Sequence, residues 1–185
     1  ARLAQALGWR KPLVAQTLYR LARPNSAGVD RHQDSVTLYT EPPSVLGIWL
    51  ALEDADESNG CLRVLPGSHR GPIRERLVRR SSGNCSGEGC AVHLTFERLS
   101  NATSAPPSEF EPLKTRAGDV LVMHGTTEHF SEASTDASRS RESLQVHLVE
   151  KTSRWPEDNW LQYPPGMAFE ELAVPSDRNS PFSEL

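Results

Sequence analysis

Val45-Leu46-Gly47-Ile48-Trp49-Leu50-Ala51-Leu52 is an unbroken apolar run, entered from Pro42-Pro43 and closed by an acidic turn and Asn59-Gly60. It is far short of the roughly 20 residues that a membrane-crossing helix needs. Its length, its β-branched and aromatic members and the turn formers at both ends read as a buried β-strand. Working outward, similar runs recur at short intervals. Upstream lie Val14-Ala15-Gln16-Thr17-Leu18-Tyr19, bounded by Pro24-Asn25-Ser26-Ala27-Gly28, and Ser35-Val36-Thr37-Leu38-Tyr39-Thr40. Downstream come Cys61-Leu62-Arg63-Val64-Leu65 before Pro66-Gly67-Ser68, then Val120-Leu121-Val122-Met123 opened by Gly118-Asp119. From Arg141 to Val149, Leu144, Val146 and Leu148 alternate with Ser143, Gln145 and His147, the period of a strand. One short helix is expected near Arg2–Arg10, where Leu3, Ala6 and Leu7 share a helical spacing before Pro12. Many short strands with turns between them predict an all-β sandwich or barrel with minor helix.

The chain has 185 residues, a length that suits a single domain spanning residues 1–185. Between about 71 and 112 the pattern lapses into a basic and then Ser/Gly-rich excursion, read as a long variable loop with one short apolar piece near Val92–Phe96. Twenty basic against 24 acidic residues give a net charge of −4, which offers no global field for holding nucleic acid. Three cysteines do not make a disulfide framework, and no charged-then-apolar leader opens the sequence. A cytoplasmic location is the expectation. The terminal Ser183-Glu184-Leu185 departs from a peroxisomal address at its middle residue.

Chemistry concentrates at His32-Gln33-Asp34. In an extended segment residues two apart project to one side, so His32 and Asp34 converge. An imidazole and a carboxylate are two parts of a 2-His-1-carboxylate iron site. As a bare pattern H-x-D is weak, since a surface histidine beside a solvated aspartate is the commoner case. Three later histidines can supply the third ligand: His124, His129 and His147. His124 and His129 are five apart and would face opposite ways on one straight strand. His147 shares a face with Arg141 if the last strand is regular, and would lie roughly 20 Å along it. Arg141 opens that strand. Facing inward it needs a carboxylate partner, and facing outward it is an ordinary surface arginine.

Taken together, His32-Gln33-Asp34, Trp49, Asn59-Gly60-Cys61-Leu62, Leu65-Pro66-Gly67-Ser68-His69, His124-Gly125, His129, Ser140-Arg141, His147-Leu148 and Trp155-Pro156-Glu157-Asp158-Asn159-Trp160-Leu161-Gln162 resemble the phytanoyl-CoA dioxygenase family. The resemblance runs from about Ala1 to about Gln162, with the excursion poorly matched. It implies a double-stranded β-helix, or jelly roll, and an iron(II)- and 2-oxoglutarate-dependent oxygenase acting on a small organic molecule, an acid or a CoA thioester. It implies His32, Asp34 and His129 as iron ligands, Arg141 on the far carboxylate of 2-oxoglutarate, and Trp49 and Leu18 lining the cosubstrate pocket. For Trp49 a place in the core is the plainer reading. The family also carries an N-terminal segment, with a cosubstrate-contacting lysine, before the point where this sequence starts. Relative to the family the chain is therefore expected to be incomplete on that side. A metal-binding but catalytically idle jelly roll is the alternative.

Two weaker signals remain. Arg70, Arg74, Arg76, Arg79 and Arg80 suggest either a solvated face or a contact for an anionic substrate, the former being the commoner case. Asn84-Cys85-Ser86 and Asn101-Ala102-Thr103 are glycosylation sequons only in a secreted protein.

Overall fold

Strand pairing is antiparallel throughout the described residues, which are 1–81, 92–164 and 166–172 of the computed structural model. One sheet contains β1 (Pro12–Ala22), β3 (Leu46–Ala51), β8 (Val120–His124), β10 (Arg141–Glu150) and β11 (Glu170–Glu171), in the order β11-β1-β10-β3-β8. The other contains β2 (Val29–His32), β4 (Leu62–Val64), β7 (Glu111–Leu113) and β9 (His129–Ser131), in the order β2-β9-β4-β7. From β1 to β4, and again from β7 to β10, consecutive strands change sheet at every connection. This winding of one ribbon between two sheets is the jelly roll.

Between the sheets, Trp49 and Ala51 of β3 and Leu62 of β4 pack with Leu113, Leu121 and Met123 from both sides. A second cluster joins Ala15, Leu38, Val45 and Val149 to Trp155, Leu161 and Phe169 of the tail. A third lies on the other side of the larger sheet. There a short helix, α1 (Arg2–Ala6), sets Ala4 against Leu46 and Leu148, with Ile48 and Val146 beside them.

Two expectations are corrected. Ser35–Thr40 is not a strand: Asp34–Thr37 forms a helical turn, α2. The Thr37 hydroxyl and the Leu38 amide both bond back to the Asp34 carbonyl, and the Ser35 amide donates to Gly125 O at 2.8 Å. Tertiary bonds here override the β propensity of Val36 and Thr37. The excursion, read as mostly structureless, contains a hairpin of β5 (Glu75–Ser81) and β6 (Val92–Arg98). Arg76 holds it in place, reaching Glu97 across the hairpin and Asp158 in the tail, each at 2.8 Å. Arg80 contacts the same two carboxylates, and Arg74 pairs with the buried Glu128. Three of the five clustered arginines thus meet acids of the same chain. Cys85, Cys90 and the sequon at Asn84 lie outside the described residues.

Candidate metal centre and adjoining pocket

His32 is the last residue of β2 and His129 the first of β9, and the register of that pair sets them directly opposite each other. Cross-strand neighbours lie close enough for their side chains to meet, and the two imidazole centroids are 4.3 Å apart. Asp34 follows two residues after His32, at the start of α2. The turn into that helix swings its carboxylate toward the histidines, so that Oδ1 is 3.6 Å from Nε2 of His32 and 3.6 Å from Nε2 of His129. The three ligand atoms fall within 4.8 Å of one another.

Ring orientation is fixed from behind. His32 Nδ1 faces the Asp30 carbonyl at 2.8 Å and His129 Nδ1 faces the Thr127 carbonyl at 3.0 Å. A carbonyl only accepts, so both Nδ1 atoms carry the proton and both Nε2 lone pairs point at Asp34 Oδ1. Gln33, between the two ligand-type residues, is almost fully buried. Its amide donates to Thr126 O and Pro72 O and accepts from the Arg74 amide, tying the turn to two other segments.

His147 also belongs to this site. Its Nε2 lies 3.4 Å from Asp34 Oδ2, the oxygen turned away from the histidine pair. The contact depends on Gly47, which stands opposite His147 in the register of β3 and β10. A Cβ at Gly47 would sit 3.1 Å from Asp34 Oδ2 and 3.6 Å from His147 Cδ2. Distance along β10 from Arg141 alone makes His147 look remote from the site. It lies outside the three-residue cluster, yet it touches the carboxylate.

Burial pushes the Asp34 carboxyl up, but the close imidazoles of His147, His32 and His129 outweigh it and hold it well below the usual carboxylate range. Burial lowers His129. Burial also pulls His32 down, but its contact with Asp34 more than compensates and raises it. One ionised carboxylate facing two nitrogen lone pairs suits a divalent metal.

His124 stands elsewhere. It ends β8, and its Nδ1 is 2.7 Å from the Thr126 hydroxyl. Arg141 begins β10, is 2% exposed and points inward. Its Nε and Nη1 have no hydrogen-bond partner among the described residues. Burial, reinforced by the nearby Arg20 charge, lowers the guanidinium to about 10, so it stays cationic at neutral pH. A cavity of about 240 Å³ separates it from the histidines, lined by His32, His129, Arg141, Leu18, Arg20 and Gln145 among others. Leu18 is one of the residues lining this cavity. Trp49 does not line the cavity. It shares a register row with Leu18 and Gln145 but is covered, and it packs behind the lining residue Leu62.

The phytanoyl-CoA dioxygenase (PhyH) family matches residues 1–141. The chain is 39% identical over 173 residues to phytanoyl-CoA dioxygenase domain-containing protein 1 of Bos taurus, covering 92% of this chain and 56% of that protein. With phytanoyl-CoA dioxygenase of Arabidopsis thaliana it is 36% identical over 162 residues, 86% of this chain and 53% of the other. The chain thus spans about half the length of these relatives. Among solved structures, the epimerase SnoN in complex with Fe3+, alpha ketoglutarate and nogalamycin RO superposes with a TM-score of 0.63. The identity is 19%, covering 94% of this chain and 67% of SnoN. The non-heme monooxygenase ThoJ superposes equally well at 19% identity, over 83% of this chain and 52% of its own. These two likenesses speak for the fold. By its match over residues 1–141 and its identity to full-length relatives, the chain belongs to the phytanoyl-CoA dioxygenase family.

Proposed function

We propose that the protein is an iron(II)- and 2-oxoglutarate-dependent oxygenase that hydroxylates a small organic substrate. The observation that carries this reading is the pairing of two features across one cavity. At one end stand His32, Asp34 and His129; at the other stands a buried, unpartnered Arg141. A metal alone would explain the first and leave the second without a role. Leaving a buried cation unpaired is costly, and a carboxylate arriving with a ligand removes that cost. Relatives named for phytanoyl-CoA dioxygenase activity support the same assignment.

In this reading His32, Asp34 and His129 would hold iron(II) through Nε2, Oδ1 and Nε2. When bound, the iron supplies the redox chemistry that couples oxidative decarboxylation of 2-oxoglutarate to succinate with hydroxylation of the substrate by dioxygen. The residues of the chain bind and orient. Asp30 and Thr127 fix the imidazole tautomers through their carbonyls, and His147 fixes the carboxylate through Oδ2. Arg141 takes the distal carboxylate of the cosubstrate with its planar fork, setting the keto acid end toward the metal. Leu62 lines the cavity, and Trp49 packs against it from the core side. The substrate itself is an acid or a CoA thioester in this proposal.

The test is anaerobic addition of iron(II) and 2-oxoglutarate, followed by air. A weak visible charge-transfer band and then succinate formation are expected. Iron binding with neither signal would leave a metal-binding module without turnover.

A further inference from the structure

The cavity holds a second guanidinium. Arg20 sits on β1 opposite Ser143 of β10, between Leu18 opposite Gln145 and Ala22 opposite Arg141. Leu18, Arg20, Gln145 and Arg141 all line the cavity, so this face of β1 and β10 is its wall. Arg20 thus stands two register positions from Arg141, the next on the same face, on the side toward His147. The two cations are close enough for the charge of Arg20 to disfavour that of Arg141.

Neither is satisfied. Arg20 Nε is buried without a partner, as are Nε and Nη1 of Arg141 and the hydroxyls of Ser131 and Ser143. Among the described residues the one side-chain hydrogen bond of Arg20 is long, from Nη2 to Ala27 O at 3.5 Å. Among the described residues no carboxylate forms an ion pair with either arginine. Buried polar groups are ordinarily paired, and two adjacent unpaired cations repel. A cluster of unpaired donors at a cavity wall is the complement of an anion. A carboxylate has about four lone-pair positions, enough for two guanidinium forks at once.

We propose that Arg20 is a second cosubstrate-binding residue, sharing the distal carboxylate of 2-oxoglutarate with Arg141 in a two-arginine clamp. The inference rests on the oxygenase reading above. It makes the pocket select for a dicarboxylate, because a keto acid without the distal carboxylate would bring nothing to neutralise either cation.

The experiment uses the whole chain loaded with manganese(II), which binds the same donor types without turnover. Calorimetric titration with 2-oxoglutarate is compared with 2-oxovalerate, in which a methyl replaces the distal carboxylate. For Arg20→Gln we expect 2-oxoglutarate binding weaker by about 10- to 100-fold with 2-oxovalerate binding unchanged, the loss proper to a charge-assisted hydrogen bond. Arg20→Lys should recover part of the difference, since it keeps the charge and loses the fork. Equal weakening of both keto acids would show a merely structural arginine and overturn the proposal. So would Arg20→Gln with no effect while Arg141→Gln abolishes the preference, an outcome that leaves the oxygenase reading standing. A wild-type chain that binds manganese but neither keto acid would overturn both.

Discussion

At the scale of single residues, the two oxygens of Asp34 divide the work. Oδ1 faces the ligand-type nitrogens of His32 and His129, and Oδ2 faces His147. Asp34→Ala should therefore abolish iron binding, since two neutral imidazoles hold a dication poorly. Equilibrium dialysis against iron(II) reads this directly, and wild-type affinity in the variant would rule out the triad. His147→Ala should act more mildly. Losing a partner of a ligating carboxylate typically costs about 10- to 100-fold in metal affinity. At the other end of the cavity, Arg141→Lys should weaken 2-oxoglutarate by about 1.5–3 kcal/mol and leave iron affinity almost unchanged. An unaltered half-saturation concentration for 2-oxoglutarate would remove Arg141 from the cosubstrate site.

At the scale of elements, the site depends on how closely β3, α2 and the end of β8 approach one another. Gly125 donates its amide to Val45 O and accepts from Ser35, so it clamps the turn that carries Asp34. A Cβ there would lie 2.3 Å from Val45 Cβ and 2.5 Å from Ser35 Oγ. Gly125→Ala should cost about 1–3 kcal/mol of stability, as overpacking does, and lower metal affinity through the displaced turn. Urea titration and metal binding check the two effects separately. Between β8 and β9, His129→Ala should lose both iron and succinate production, whereas His124→Ala should keep iron because its ring engages Thr126 instead. The reverse result would move the metal site to His124.

At the scale of the whole molecule, a metal bound between β2, β9 and α2 joins segments nearly 100 residues apart in the chain, and it binds only when they are folded together. Manganese(II) at 100 times its dissociation constant should add roughly 2.7 kcal/mol to stability. For a protein of this size that is a rise of about 5–10 °C in melting temperature, absent in Asp34→Ala. A thermal scan with and without chelator measures it.

The periodicity of single segments carries most of what the sequence determined by itself. Val45–Leu52, Val120–Met123 and Arg141–Val149 read as strands because turn residues bound them and because two-residue alternation or apolar runs need no knowledge of neighbours. His32 and Asp34 were legible as a pair from their spacing of two, although the turn into α2, not a continuous strand, brings them together. Tertiary structure decided which way each face points. In β10 the polar set Arg141, Ser143 and His147 is buried, while Leu144 and Val146 look outward, Val146 toward Ala4 of α1. Alternation separates the faces of a strand but does not say which one meets the core. Nor does it show that Gly47 leaves room for Asp34 beside His147, that Trp49 packs behind Leu62, or that Arg20 comes beside Arg141. The first and last follow from register between strands more than 90 residues apart, and the second from the packing of one sheet on the other, which only the folded chain fixes.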